Sequence, residues 1–271
     1  MTGQRGFGEL VAEAGAVPVE GWDFSWLDGR AAEQRPSWGY ARMAGERLAR
    51  VSIALDIGTG GGEVLAGMEA LPARMAATES WPPNILVATR RLRPRGVAVI
   101  ADDDQPRLPF RRDVFDLVIS RHPVETWWDE IARVLRPGGA FLSQQIGAGT
   151  VSELREFLMG PQPPSTRRTP QRARRAAEDA GLTVTDLRAE SLRAEFYDVG
   201  AVVYFLRKVI WNVPDFTVAR YRDRLAALHE RIQAEGAFVT YAKRFLIEAR
   251  KPAGPAGPPE GPNHCRLARN A

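Results

Sequence analysis

The chain contains very little cysteine and lysine and no long hydrophobic run, and each shortage excludes a class of protein. Its one cysteine, Cys265, excludes an internal disulfide and a zinc site built from several cysteines. The longest apolar run, residues 199–206, is far shorter than the roughly 20 residues of a membrane-spanning helix. The three histidines lack the spacing of metal ligands, so we expect no metal site: His122, His229 and His264.

The net charge of +4 comes almost entirely from arginine, because only three of the 37 basic residues are lysines. This skew is compositional, so the positive charge favours a nucleic-acid partner only weakly. No signal peptide is visible, since residues 2–9 are polar and glycine-rich with no apolar core behind them. We therefore expect a cytoplasmic protein without a membrane partner, whereas the oligomeric state is not predicted.

Four glycines in five positions follow a short apolar segment near the start of the chain. Residues 51–55 suit a buried strand, and residues 63–66 suit the start of a helix. Glycine is placed this densely where the backbone turns sharply and a ligand approaches it closely, because a Cβ would clash. The sequence therefore predicts a strand, a glycine loop over residues 58–62, and a helix, with a ligand above the loop.

Spacing separates the nucleotide-binding loops that this pattern could represent. A dinucleotide loop requires a third glycine where this chain has Glu63, and that carboxylate would face a pyrophosphate. A phosphate-binding P-loop requires a glycine followed by lysine, a pair that occurs nowhere in the chain. On this segment alone, a turn that binds no nucleotide stays open.

The arrangement D-x-G-x-G-x-G from Asp56 to Gly62 resembles motif I of the class I S-adenosylmethionine (SAM)-dependent methyltransferases. Each motif alone is weak, but their common order and spacing are specific. The resemblance covers residues 50–147 and continues through RMAATE at 74–79, VAVI at 97–100, DQPRLPF at 104–110, FDLVIS at 115–120 and EIARVLRPGG at 130–139.

The resemblance implies SAM as the cofactor and assigns residues to its site. Glu79 would accept hydrogen bonds from the two ribose hydroxyls, although it could instead cap the helix that follows. Asp104 stands where the family contacts the adenine amino group, although the three aspartates at 102–104 could form a solvated turn. The predicted cofactor-binding residues are Asp56, Gly58, Thr59, Gly60, Gly62, Glu79, Asp104, Gln105 and Ser120.

The alternation of strands and helices over residues 51–147 predicts a parallel sheet with helices on both faces. The resemblance implies an α/β fold with a doubly wound, mostly parallel, seven-stranded Rossmann-like sheet. We expect an N-terminal helical extension over residues 1–50, a SAM-binding domain over 51–250 and a disordered tail over 251–271.

An apolar and aromatic insertion separates the predicted sixth strand, residues 182–187, from the predicted seventh, residues 237–249. Its periodicity supports two helices, and methyltransferases of this family build substrate lids at this position. We therefore expect a helical lid at about residues 196–236. The aromatic candidates for contact with the acceptor are Trp22, Tyr197, Tyr204, Trp211 and Phe216, and those for contact with SAM are Trp22, Trp38 and Tyr40, unless this N-terminal segment simply packs on the core.

Methyl transfer from a sulfonium requires proximity and alignment, and also a base when the acceptor is a hydroxyl or a protonated amine. His122 follows the FDLVIS segment by two residues and is the candidate base, because histidine titrates near neutrality. A purely structural role for His122 is equally open at this point. The Asn/Asp-Pro-Pro-Tyr/Phe signature of many amino-group methyltransferases is absent, which disfavours exocyclic amines.

The sequence thus predicts methyl transfer to an oxygen or nitrogen of a small molecule. Two alternatives stay open. The arginine-rich stretch at residues 165–175 could bind RNA, which would make the protein an RNA methyltransferase. A SAM-binding module without catalysis is the third hypothesis.

Overall fold

The computed structural model describes residues 5–19, 23–103 and 105–254, and its central feature is one mixed β-sheet between layers of helices. The strands in these residues are β1 (Ala31–Glu33), β2 (Ile53–Ile57), β3 (Arg74–Glu79), β4 (Val97–Ala101), β5 (Phe115–Arg121), β6 (Leu135–Ile146), β7 (Thr183–Phe196) and β8 (Phe238–Arg250). The α-helices are α1 (Phe7–Ala16), α2 (Tyr40–Leu48), α3 (Glu63–Ala66), α4 (Pro82–Leu92), α5 (Trp128–Val134), α6 (Ser152–Met159), α7 (Pro170–Asp179), α8 (Val199–Lys208) and α9 (Arg222–Glu235).

The strand order is β1-β7-β8-β6-β5-β2-β3-β4. Strands β2 to β6 are parallel, whereas β8 is antiparallel to both β6 and β7. From β2 the chain moves outward through β3 and β4 and then returns to β5 on the other side of β2. The topological switch point therefore lies between β2 and β5, where open α/β sheets bind their ligands.

The predicted doubly wound, mostly parallel sheet is confirmed, but the expected number of seven strands is wrong. An eighth strand, β1, pairs antiparallel with the far end of β7, with Ala31 opposite Phe196. Strand β7 is also much longer than the predicted residues 182–187, because it pairs with β8 along its whole length.

Apolar side chains of the parallel strands alternate between two helical layers, as expected for a sheet buried on both faces. In β2, Ala54 packs in the cluster formed with α2, α3 and α4. The next residue, Leu55, packs in the cluster formed with α5 and α7. The glycine loop therefore leaves a strand that is fixed from both sides.

Helices α1, α8 and α9 form a third apolar cluster at the ends of β7 and β8, and we call these three helices the helical cap. The last pair between β8 and β6 joins Arg244 to Ile146, so residues 238–243 of β8 pair only with β7. Because β7 runs parallel to β6, this extension projects from the edge where the parallel strands end. The cap lies at the same edge as the glycine loop.

Helices α8 and α9 both lie within residues 196–236, and the segments of residues 1–50 pack in two different places. Helix α1 packs on α8, where a Cβ at Gly200 would lie 2.8 Å from the Leu10 carbonyl oxygen. The Arg30 Nε lies 2.9 Å from the Asp198 carboxylate and fixes the segment after α1 to the start of α8. Helix α2 packs instead on the sheet, with Trp38 just ahead of it.

Two further expectations concern the ends of the chain and the membrane. Of the expected disordered tail, residues 255–271 lie outside the described residues. In the part of the chain that the structure describes, no helix combines the length and apolar character needed to cross a membrane.

Candidate cofactor site

The glycine loop joins β2 to α3, and three of its glycines have a left-handed backbone. The φ angles are 68° at Gly58, 63° at Gly60 and 80° at Gly62, values that side chains disfavour. A Cβ at Gly62 would lie 2.8 Å from Leu92 Cγ, so this glycine allows the loop to pack on α4. A Cβ at Gly58 would meet no atom within 4 Å. That side of the loop is open to a ligand.

The Glu79 side chain fastens the glycine loop to the end of β3. Its Oε2 accepts a hydrogen bond from the Gly60 amide at 2.7 Å. Its Oε1 accepts hydrogen bonds from the amides of Ser80 at 3.0 Å and Trp81 at 2.9 Å, just ahead of α4. An ionised carboxylate offers about four acceptor positions, so Glu79 keeps capacity for a hydroxyl donor. Glu79 thus binds both the loop and the residues before the helix.

Asp56 and Tyr40 place two buried polar groups beside the loop. Burial raises the pKa of the Asp56 carboxyl to about 7, and the negative charge of Glu79 adds to this rise. The Tyr40 hydroxyl is buried and makes no hydrogen bond within the described residues. Burial, and then the charge of Asp56, raise the pKa of Tyr40 well above its usual value. A cation bound here would offset the free-energy cost of ionising the buried Asp56 carboxyl.

Other predicted residues support the backbone around the loop. The Ser120 hydroxyl donates to the Ile57 carbonyl at 2.8 Å and ties β5 to β2 at the switch point. The Thr59 amide donates to the Thr78 carbonyl at 2.9 Å and holds the loop against β3. Gln105 is exposed, and its backbone amide donates to the Asp103 carboxylate at 3.3 Å. Asp104 and Trp22 lie outside the described residues.

His122 follows β5 and takes part in a chain of side-chain hydrogen bonds. The Trp38 indole Nε1 donates to Gln144 Oε1 at 2.8 Å, which turns the Gln144 amide nitrogen toward His122 Nε2 at 2.9 Å. The imidazole Nε2 is therefore the acceptor. Burial, and then the charges of Arg121 and Arg244, lower the pKa of His122 to about 3. Burial, and then the charges of Arg121 and Arg244, therefore oppose the expected titration of His122 near neutrality, and its role as a base stays a prediction.

A small cleft opens beside the switch point, next to the loop that follows β5. The sequence analysis identified only His122 in this loop, from its position directly after the FDLVIS segment. The lining residues are Ile57, Leu108, Ser120, Pro123, Glu125, Thr126, Trp127, Ile131 and Phe141.

The predicted lid aromatics divide into buried and exposed side chains. The Tyr204 hydroxyl donates to the Asp23 carbonyl at 3.0 Å, and its ring centroid lies 4.9 Å from that of Trp26. Tyr204 therefore belongs to the core of the cap. Trp211 and Tyr197 are 53% and 40% exposed, so both can meet a ligand without repacking. Phe216 is partly buried and stacks on a neighbouring tyrosine of the cap.

Three comparisons agree with this geometry. The sequence profile of a family described as "Methyltransferase domain" matches residues 55–143. A ubiquinone biosynthesis O-methyltransferase of Methylobacterium sp. (strain 4-46) is 31% identical over 161 residues, which cover 52% of this chain and 63% of that relative. This chain therefore spans less than two thirds of the relative's length.

Two crystal structures share the fold. One, from Bacillus halodurans C-125, is described as a methyltransferase and is 16% identical to this chain, with a TM-score of 0.57. The match covers 80% of this chain and 100% of that structure's chain. The YcgJ protein from Bacillus subtilis is 17% identical to this chain, with a TM-score of 0.57. The match covers 79% of this chain and 99% of the YcgJ chain. The predicted resemblance to the class I SAM-dependent methyltransferases is confirmed by the matched profile, and the shared fold agrees with it. The methyltransferase domain of this chain includes residues 55–143.

Within the described residues, no group of three histidine, cysteine or acidic side chains is arranged to hold a metal ion.

Proposed function

We propose that the protein transfers the methyl group of SAM to an oxygen or nitrogen of a small-molecule acceptor. The observation that supports this most strongly is the open glycine loop held by Glu79, with buried Asp56 beside it at the switch point. The relative named as an O-methyltransferase favours oxygen as the methylated atom.

The residues at this edge fit SAM in charge and shape. Glu79 keeps acceptor capacity for a ribose hydroxyl, and the open face at Gly58 admits the ligand close to the backbone. The positive charges of SAM match Asp56, a buried carboxyl with a raised pKa and no ion-pair partner among the described residues. Asp104 and Gln105 are the candidates for the adenine end. Bound SAM supplies a methyl group that a sulfonium already activates.

The acceptor would lie beside the loop after β5 and below the exposed cap aromatics Trp211 and Tyr197. His122 stays a candidate contact at this position, but its low pKa makes it a poor proton acceptor. We propose that His122 positions the acceptor in its neutral form and that proximity supplies most of the rate enhancement. Tyr204 contributes by holding the cap together.

RNA methylation is the alternative, and the arginines at the start of α7 are the observation that favours it. Arg167, Arg168, Arg172, Arg174 and Arg175 are all exposed, while Ala173 and Ala177 face the core. This is the pattern of a solvated helix face, and no aromatic side chains are interleaved to stack bases. A SAM-binding module without catalysis is the remaining alternative.

Calorimetry with SAM, S-adenosylhomocysteine (SAH) and NADH tests the proposal. We expect one site per chain for SAM and SAH and no binding of NADH. Binding of NADH without SAM would contradict the assignment. Steeply salt-dependent binding of RNA would favour the RNA alternative, and SAM binding without turnover on any hydroxylated or amine acceptor would favour the non-catalytic module.

A further inference from the structure

Two arginines lie on the same face of the sheet near the edge that carries the glycine loop. Arg121 on β5 is paired with Gln144 on β6, and Gln144 is paired with Leu246 on β8. Arg244 lies two residues before Leu246 on the same strand. Paired residues share a face, and so do residues two apart on a strand. Leu246 packs in the cluster that contains Trp38, so both arginines belong to the α2 face.

The two guanidinium groups differ in their ion pairs and hydrogen bonds. Arg121 is exposed and makes no ion pair and no side-chain hydrogen bond within the described residues. The Arg244 side chain is only 13% exposed; it pairs with Glu33 at 2.8 Å and donates to Thr150 Oγ1 at 3.2 Å. Two cations that approach each other in a partly dry site repel unless an anion lies between them. Arg121 is therefore available for an anion, and Arg244 has only one carboxylate partner.

Three side chains beside these two cations carry no charge and are held by hydrogen bonds to one another. Trp38, Gln144 and His122 form the chain of hydrogen bonds described above, and His122 is uncharged near neutral pH. Because its Nε2 accepts from Gln144, the proton of the neutral ring resides on Nδ1. The site therefore contains fixed donors and two cations, and its carboxylate, Glu33, lies 44% exposed at the rim. This composition suits an anionic group of a ligand.

We propose that Arg121 and Arg244 form an anion site that binds a carboxylate or phosphate group of the acceptor. Arginine suits both groups, because its planar fork can donate two parallel hydrogen bonds to one anion. The inference rests on the proposed function and adds the acceptor's chemical class to it. The acceptor would be a small acidic molecule with a nucleophilic oxygen or nitrogen.

The position of the pair favours the acceptor over the carboxylate of SAM itself. In the strand order, β8 is separated from β2 by β6 and β5. With about 4.8 Å between neighbouring strands, β8 lies roughly 14 Å from the strand that leads into the glycine loop. Asp56 on β2 and Glu79 on β3 lie on one side of the switch point, whereas Arg121 on β5, the strand next to β2, and the more distant Arg244 on β8 lie on the other side. The cationic cofactor and the anionic group of the acceptor would thus lie on opposite sides of the switch point, at the same edge of the sheet.

Calorimetric titration of the SAH-saturated protein with sodium benzoate and with inorganic phosphate tests the inference. We expect the wild-type protein to bind at least one of these anions at low ionic strength, and to bind it more weakly as salt is added. Arg121→Gln should weaken that binding by about tenfold or more, because it removes an ionised donor. Benzoate and phosphate distinguish a carboxylate site from a phosphate site.

Arg74→Gln is the matched control, because Arg74 is exposed and begins β3 at the opposite edge of the sheet. This variant has the same charge change and should bind the anion within about twofold of the wild type. Arg244→Lys is a second variant that retains the charge but not the fork, and it should weaken binding by several-fold. Equal anion affinities in Arg121→Gln and Arg74→Gln would overturn the inference.

The affinity for SAH, measured first in each protein, separates the remaining outcomes. A wild-type protein that binds SAH but neither anion would overturn the anion site and leave the proposed function intact. A large loss of SAH affinity in Arg121→Gln would assign this guanidinium to the cofactor and would also overturn the inference. A wild-type protein that does not bind SAH would contradict the proposed function and the inference together.

Discussion

The cofactor side and the acceptor side of the sheet edge differ in charge and in the origin of their geometry. Around β2 and β3, the buried carboxyls of Asp56 and Glu79 surround a loop shaped by glycine backbone angles and by amide hydrogen bonds. On the other side of the switch point, Arg121 on β5 and Arg244 on β8 lie on strands that are joined through β6 by long-range pairing. The cofactor side is therefore acidic and shaped largely by local segments. The acceptor side is basic and is assembled from segments that are distant in the sequence.

This difference separates two requirements of a methyltransferase. A cationic cofactor common to a large family can be held by a short, conformationally demanding segment. The acceptor differs among enzymes, and we propose that its contacts in this protein come from the loop after β5, from β8 and from the helical cap. Substitutions on the two sides should therefore change different measurements.

The largest effect is expected at Glu79. Replacing Glu79 with alanine removes the acceptor proposed for a ribose hydroxyl and the acceptor that holds the Gly60 amide. Bonds to an ionised acceptor contribute about 1.5–3 kcal/mol each, so Glu79→Ala should weaken SAM binding roughly ten- to a hundredfold in calorimetry. Glu63→Ala is the control, because the exposed Glu63 side chain pairs with Arg91 beside the same loop. Equal losses in the two variants would show that general loop damage is responsible.

The second effect concerns His122 on the acceptor side. His122 has a φ of 56°, and asparagine tolerates this left-handed backbone, so His122→Asn removes the ring with little backbone strain. We expect kcat to fall by about tenfold with SAM affinity unchanged. Because the pKa of His122 is about 3, any pH dependence of kcat near neutral pH comes from another group and should persist in the variant. A neutral-pH inflection that disappears with the ring would show that His122 titrates there.

A smaller effect is expected for Asp56, where stability and binding should change in opposite directions. Its pKa of about 7 exceeds the usual 3.8, so the folded protein favours the protonated carboxyl. The resulting stabilisation is complete below about pH 4 and is lost as the pH rises through 7. Asp56→Asn should therefore raise the melting temperature by a few degrees at pH 8, more than at pH 5.

SAM should bind Asp56→Asn several-fold more weakly at pH 8, because the variant lacks the negative charge. Thermal denaturation without ligand and calorimetry with SAM measure the two effects. A variant that is less stable than the wild type at pH 8, or that binds SAM equally well, would contradict the role assigned to this carboxyl.

The smallest effect distinguishes exposed from buried aromatics in the cap. Trp211→Ala should raise the acceptor KM a few-fold and leave SAM affinity unchanged, because Trp211 is exposed at the end of α8. Tyr204→Phe removes only the hydroxyl that donates to Asp23, and should lower stability by about 1 kcal/mol without changing KM. If both variants affect only stability, the cap does not contact the acceptor.

Local segments of the fold were predictable from the sequence. The bounds of β3 coincide with the RMAATE segment at residues 74–79, and the glycine loop begins where the apolar run of β2 ends. These elements are visible because the period of the apolar residues and the glycine positions are set within about ten residues of chain. The two helices of the insertion were predictable for the same reason.

Features formed by distant pairing were not predictable. Strand β1 has three residues, and its partner Phe196 lies far along the chain, so no local pattern marks it. The additional length of β7 depends on β8 in the same way. Within the site, Glu79 was found from its spacing, whereas Arg121 and Arg244 were missed because their relation passes through the register of β6. The low pKa of His122 likewise depends on burial in the folded chain and then on the charges of Arg121 and Arg244, which come from two strands.

Hydrogen exchange measured by mass spectrometry, with and without SAH, tests the central claim most directly. The account predicts slower exchange in peptides that contain residues 57–63 and 79–81, because their amides form the proposed cofactor site. It predicts little change in α9, which belongs to the acceptor side. Protection confined to the cap, with no change around Gly60 and Glu79, would contradict the account.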